Sequence, residues 1–191
     1  MRKAARLLLA ACYMLLSACQ AEGEFSTWPC RFGYDNGLHL DATLASAMEY
    51  NSRGVFCKIW ESASGGVAFI NFQNNHGMTS SKEETAMERQ ASYVLGLNNG
   101  IIVGFPSLAD GFVAYDAQCP NCVRASDNYV NPKFPVTMAS TGIATCQKCG
   151  RKYDLNNGGI IQNGEKGDVG LEKYLASTTG PQGYIAVGTK R

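Results

Sequence analysis

The sequence predicts a mostly β protein, and three observations carry that expectation. Twenty-one of 191 residues are glycine. Short β-branched or aromatic runs alternate with Gly, Asn, Asp and Ser clusters, which is the pattern of strands separated by turns. Two of these runs, at 55–60 and 67–72, flank a Gly65-Gly66 turn.

Taken in order, Trp28 to Gly37 reads as a first extended segment that closes at Asn36-Gly37. Thr43 to Tyr50 reads as one helical turn or an ordered loop. Val55 to Trp60 and Val67 to Phe72 flank Gly65-Gly66, and such a pair of runs around two glycines predicts a hairpin. Ser80-Ser81-Lys82-Glu83 has the spacing of a capping box, so a loop or short helix is expected there. Further strands are expected at 100–105, 111–116, 134–138, 142–145, 152–155, 159–162, 171–175 and 184–187. No internal repeat or low-complexity segment is present.

The most specific chemistry lies in two Cys-x-x-Cys pairs, Cys119/Cys122 and Cys146/Cys149, separated by the 23 residues Val123 to Thr145. Two thiolates at this spacing grip one metal ion from a tight turn, and two such turns complete a tetrahedral four-sulfur shell. Both pairs directly follow expected strands, so the ligand loops, 117–124 and 144–152, are expected to be presented by a sheet.

The N-terminus carries an address. Arg2, Lys3 and Arg6 precede an apolar run, Leu7 to Leu16, that is well short of the ~20 residues needed to span a bilayer. Leu16-Ser17-Ala18-Cys19 resembles the lipobox of bacterial lipoproteins. The resemblance implies cleavage before Cys19 and lipidation, palmitate included, of that residue. Leu9-Ala10-Ala11-Cys12 also fits the pattern, but leaves only three leucines as an apolar run. An ordinary signal peptide cut after Ala18 or Ala21 is the alternative. The expected organisation is therefore a signal peptide at 1–18, a tether at 19–27 and a single β domain at 28–191. The acidic residues after Cys19 resemble surface-export signals of some lipoproteins, with a solvated linker as the plain alternative. The implied location is the cell envelope, anchored by lipid to the outer membrane and facing the periplasm or the surface.

Seventeen basic and sixteen acidic residues give a net charge of +1 without a basic stripe, so the footprint of a nucleic-acid binder is absent. Of eight cysteines, Cys30 and Cys57 remain once the signal, the lipid site and the two pairs are assigned. In an oxidising compartment they form either a disulfide or two separately buried thiols. No catalytic residues are expected. The Gly-x-Ser-x-Gly elbow is missing, and only His39 and His76 can serve as bases. Those histidines read as solvent-facing or hydrogen-bonded, and Glu83, Glu84 and Glu88 as a solvated face. Glycines 158 to 170 read as hairpin turns, because the Lys and Ser/Thr of a phosphate loop are missing. Trp28, Trp60, Tyr115, Tyr153 and Tyr174 read mainly as core or sheet packing.

From Cys146-Gln-Lys-Cys149-Gly150 onward, the chain continues through Tyr153-Asp154, Gly158-Gly159, Gly164, Gly167, Leu171-Glu-Lys-Tyr174 and Ile185-Ala-Val187. This series resembles the second half of a Rieske 2Fe–2S domain, and Ala114 to Pro120 resembles the strand entering its first ligand loop. The likeness spans roughly 100 to 190 and extends to Rieske-like lipoproteins of Bacteroidetes-type bacteria. It implies an antiparallel β-sandwich with a small metal-binding subdomain. Cys122 and Cys149 stand where histidines would be expected, which removes the basis for a Rieske potential.

A four-thiolate site accommodates Zn²⁺, a single iron or an all-cysteine 2Fe–2S cluster. Rieske proteins exported with an installed cluster generally use a twin-arginine signal, and Arg2-Lys3-Ala4-Ala5-Arg6 lacks an Arg-Arg pair. Zinc acquired after export is therefore the favoured cofactor, in a structural role, and disulfides are the metal-free alternative. The expectation is a non-enzymatic binding or scaffold protein of the envelope with an unknown envelope protein or ligand as partner. An electron-transfer protein serving a membrane reductase is the alternative.

Overall fold

A computed structural model describes residues 25–127 and 129–190. The expected signal peptide at 1–18, Cys12, Cys19 and most of the expected tether lie outside the described residues.

The chain opens with β1 (Arg31–Asp35), the short helix α1 (Asn36–His39) and α2 (Ala42–Met48). Asp41 caps α2, its Oδ1 accepting the Leu44 N–H at 2.9 Å. The β2 (Phe56–Ser64) and β3 (Val67–Asn74) strands form the expected hairpin. Gly65 and Gly66 both take positive φ, 58° and 81°, a backbone that favours glycine. After β4 (Thr79–Glu83) and α3 (Ala86–Ala91) come β5 (Ile101–Gly104) and β6 (Val113–Asp116). There follow α4 (Pro120–Ser126), β7 (Val136–Met138), β8 (Ile143–Cys146), β9 (Lys152–Asp154) and β10 (Ile160–Ile161). The last strands are β11 (Lys173–Thr178) and β12 (Tyr184–Gly188).

Two antiparallel sheets result. Eight strands run in the order β1-β12-β11-β6-β5-β2-β3-β4, and four in the order β10-β9-β8-β7. Strands β6 and β11 are neighbours, with Tyr115 opposite Lys173. Everything between them, the small sheet included, is therefore an excursion that leaves and re-enters the large sheet at one point. On one face of the large sheet, Leu44 and Met48 of α2 join Ile59, Ile70, Phe72, Ile101 and Val103 in the main core. On the other face, Phe56, Ile102, Val113 and Tyr115 pack with Val136, Ala144, Tyr153 and Leu155 of the small sheet and its turn. The mostly β class is as expected.

Several local expectations need correction. Residues 79–83 form a strand, because their polar side chains suit the edge position beside β3, where Phe72 faces Ser80. The capping box lies five residues later, at Thr85 and Glu88. Glu84 and Glu88 are buried, at 5% and 9% exposure, so only Glu83 belongs to a solvated face. Glu88 accepts the Thr85 N–H and lies 2.9 Å from His39 Nε2, while Glu84 lies against Glu61. Strand β11 begins two residues beyond Leu171, which is drawn instead under the small sheet. The segment 43–50 resolves into a capped helix.

Candidate metal centre

The first cysteine pair is placed by backbone leaving the large sheet, and the second by backbone leaving the small one. Beyond β6, Cys119 N–H donates to the Phe134 carbonyl at 2.8 Å and Gln118 Oε1 accepts from Phe134 N–H. Chain direction then changes at once. Cys119 is the N-cap of α4 and Pro120 occupies its first turn, a position where the missing N–H costs nothing. The first ligand segment is thus helical from Pro120, where a loop was expected, and one helical turn carries the chain from Cys119 to Cys122. The second pair leaves the end of β8. Cys146 N–H donates to the Arg151 carbonyl, and Gly150 N–H returns to the Cys146 carbonyl at 2.8 Å. Gly150 adopts φ 72°, the left-handed conformation that lets this turn close.

These two turns bring all four Sγ atoms within 4.8 Å of one another. The Cys119–Cys149 and Cys122–Cys146 separations are both 3.8 Å. Cys119, Cys122 and Cys146 are buried, and Cys149 is the accessible member. The site residues expected from the two pairs are therefore the ones brought together. The group can hold a metal ion, and among the described residues it is the only cluster of its kind.

A polar frame surrounds the sulfurs. The Tyr153 hydroxyl lies 3.0 Å from Cys119 Sγ and accepts from Asn121 Nδ2 at 3.0 Å, which leaves its own proton for the sulfur. Asn121 also clips the loop before β11, donating to Val169 O and accepting from Val169 N–H. On the open side, Arg151 forms a two-point pair with Asp168, at 2.8 and 2.9 Å. Burial raises the Cys149 thiol, but hydrogen bonds from Arg151, both side chain and backbone, outweigh that and lower it to about 7. Burial pushes Cys119 up to about 11 against the Tyr153 hydrogen bond, and pushes Cys122 up as well. Four sulfurs this close repel one another once deprotonated, so a cation among them is what allows all four to ionise together.

Comparison with family models, curated proteins and solved structures found no match for the chain.

The remaining candidates divide clearly. His39 stacks on Tyr34 and pairs with Glu88, and His76 is exposed. Neither joins the sulfur cluster. Cys30 and Cys57 are free thiols buried in the main core. Tyr115, Tyr153 and Tyr174 are buried, and Trp28 and Trp60 are half-buried. Tyr174 donates to Asp116 at 2.7 Å, a fully buried carboxylate that also accepts from Leu97 N–H and Gln118 N–H. Sequence reasoning missed the roles of Asn121, Arg151 and Asp168. Asn121 and Arg151 sit inside or beside the cysteine pairs, a usable signal, whereas nothing local marks Asp168.

Proposed function

We propose that Cys119, Cys122, Cys146 and Cys149 hold one Zn²⁺ that staples the small sheet to a Rieske-like β domain. The domain belongs to a lipid-anchored envelope protein with a binding or scaffold role. The single observation that carries the zinc reading is the sulfur spacing. A tetrahedron with Zn–S bonds of ~2.3 Å has edges of about 3.8 Å. The two cross-pair separations of 3.8 Å agree with that edge, and no sulfur is farther than 4.8 Å from another. A binuclear cluster would hold one cysteine pair on each iron and drive the pairs further apart than a mononuclear shell does. Four thiolates leave no open position on the ion, so it would supply folding energy rather than chemistry.

The placement of the small sheet between adjacent strands β6 and β11 supports the Rieske-like reading, as do the motifs from Cys146 to Tyr174. The lipid anchor rests on Leu16 to Cys19 alone. Elemental analysis of the full chain, purified from its native envelope, tests the assignment. One zinc per chain without visible absorbance is expected. A brown protein whose colour bleaches with dithionite would establish the electron-transfer alternative.

A further inference from the structure

The small sheet covers only part of the face on which it sits. That face of the large sheet is apolar at Phe56, Ile102 and Tyr115, beneath the cover, and becomes polar along β2, β3 and β4 where the cover ends. The strand register sets the change. Lys58 lies opposite Gln73, which lies opposite Thr79; Trp60 lies opposite Asn71, which lies opposite Ser81. Because paired residues share a face, these six side chains form two transverse rows on one side of the sheet.

The rows line two adjoining hollows that share Gln73. One, of about 200 Å³, is walled by Lys58 and by Val136, Thr137 and Met138 of β7, the edge strand of the small sheet. The other, of about 510 Å³, is walled by Trp60, Asn71, Thr79 and Ser81. No carboxylate lines either hollow. Glu83 shares the face but lies further along, opposite Phe69. The Lys58 ammonium lies over the Trp60 ring in a cation–π contact, 5.7 Å from its centre, and among the described residues it makes no ion pair. Burial lowers its pKa from the usual lysine value.

We propose that the two adjoining hollows, one walled by Lys58 and the β7 edge and the other by Trp60, together bind a carboxylate-bearing sugar, a uronate either free or within a polysaccharide. Lys58 supplies the counter-charge for the carboxylate. The indole supplies an apolar surface for the C–H faces of the ring. Gln73, Asn71, Thr79 and Ser81 supply amide and hydroxyl partners for the sugar hydroxyls. This gives a ligand class to the binding role proposed above, and its geometry does not depend on which metal the sulfurs hold.

The test uses the full chain carrying Trp28→Phe, so that Trp60 is the only tryptophan reporting. Galacturonate, an oligogalacturonide and a neutral glucose oligomer are titrated while indole emission is followed. Saturable changes with the uronates and none with the neutral oligomer are expected. The oligogalacturonide binds more tightly if the natural ligand is polymeric, and equally per site if it is the free sugar. Lys58→Gln should weaken uronate binding about tenfold or more, the loss of one charge-assisted contact. Added salt should weaken binding to the unaltered Lys58 chain, which gives a second readout if Lys58→Gln folds poorly. No response to either uronate, equal response to the neutral oligomer, or wild-type affinity in Lys58→Gln would each overturn the proposal. Zinc is measured on the same samples. A metal-free chain that binds uronate defeats the zinc reading alone, and a zinc-loaded chain that ignores uronate defeats this one alone.

Discussion

Beneath α2, the large sheet buries Ile59, Ile70, Phe72, Ile101 and Val103 on strands of up to nine residues. The small sheet has strands of two to four residues, and contributes Val136, Ala144, Tyr153 and buried cysteine sulfur to its shared core. Each large aliphatic or aromatic side chain buried is worth about 1.5–3 kcal/mol, so the first region accumulates stability from its own residues. The second cannot. Its strands are shorter than the usual five or six residues, and the cysteine cluster brings its β8 turn against α4. A structural zinc ion contributes ~10–16 kcal/mol in small zinc-dependent folds, enough to hold a sheet that lacks an independent core. On the zinc reading proposed above, cohesion comes from side-chain area in one sheet and from metal-bound sulfurs in the other.

The largest effect is expected from removing the metal from zinc-loaded protein with a chelator, or from replacing Cys149 with Ser. Either should cost a large fraction of the total stability. Hydrogen exchange should show the amides of Ala144 and Tyr153 losing protection while those of Ile59 and Ile101 keep theirs. Simultaneous loss in both sheets would mean that the two regions are one cooperative unit. An unchanged melting temperature for Cys149→Ser would count against a structural metal.

A smaller effect separates the acidic groups of the large sheet from the sulfur site. Burial, reinforced by Glu84, raises Glu61 to about 7, and burial raises Asp116 to about 6 despite its three hydrogen bonds. Burial also raises Glu84, and Glu88 and Arg89 act on it as well. The folded state therefore holds protons that the unfolded chain has already released, so these groups lower stability as pH rises. Urea midpoints of metal-loaded protein should fall between roughly pH 4 and pH 7, and Glu61→Gln should flatten that fall. A midpoint that rises over the same interval would show that other groups dominate.

The smallest expected effect concerns Tyr34, packed against Phe32, His39 and Phe72 in the main core. Its hydroxyl is the one buried side-chain oxygen or nitrogen without a partner among the described residues. Tyr34→Phe removes that unsatisfied group and should stabilise by ~1 kcal/mol, raising Tm by a few degrees. A loss of stability would show that the hydroxyl has a partner, such as a buried water.

Much of this was readable from local patterns. The β2–β3 hairpin follows from two apolar runs around Gly65-Gly66, and the cysteine pairs from their spacing. Strand β4 was not readable, because Thr79 to Glu83 has no apolar alternation and owes its conformation to the free edge of β3. The burial of Glu84 and Glu88 was hidden for a related reason. Their partners, Glu61 and His39, are distant in sequence, and a charged residue reads as exposed until such a partner is known. The helix after Cys119 had a signal in Pro120, which favours a first turn.

By itself, the sequence determined the β class, the two cysteine knuckles and a signal-like N-terminus, because each is written in neighbouring residues or a fixed short spacing. Only the tertiary structure decided that the knuckles face one another across 3.8 Å, that Asp168 steadies Arg151 beside Cys149, and that Lys58 shares an uncovered face with Trp60. Those arrangements depend on the pairing of β6 with β11 and on where the small sheet stops, and contacts between residues remote in the chain leave no periodic trace in it.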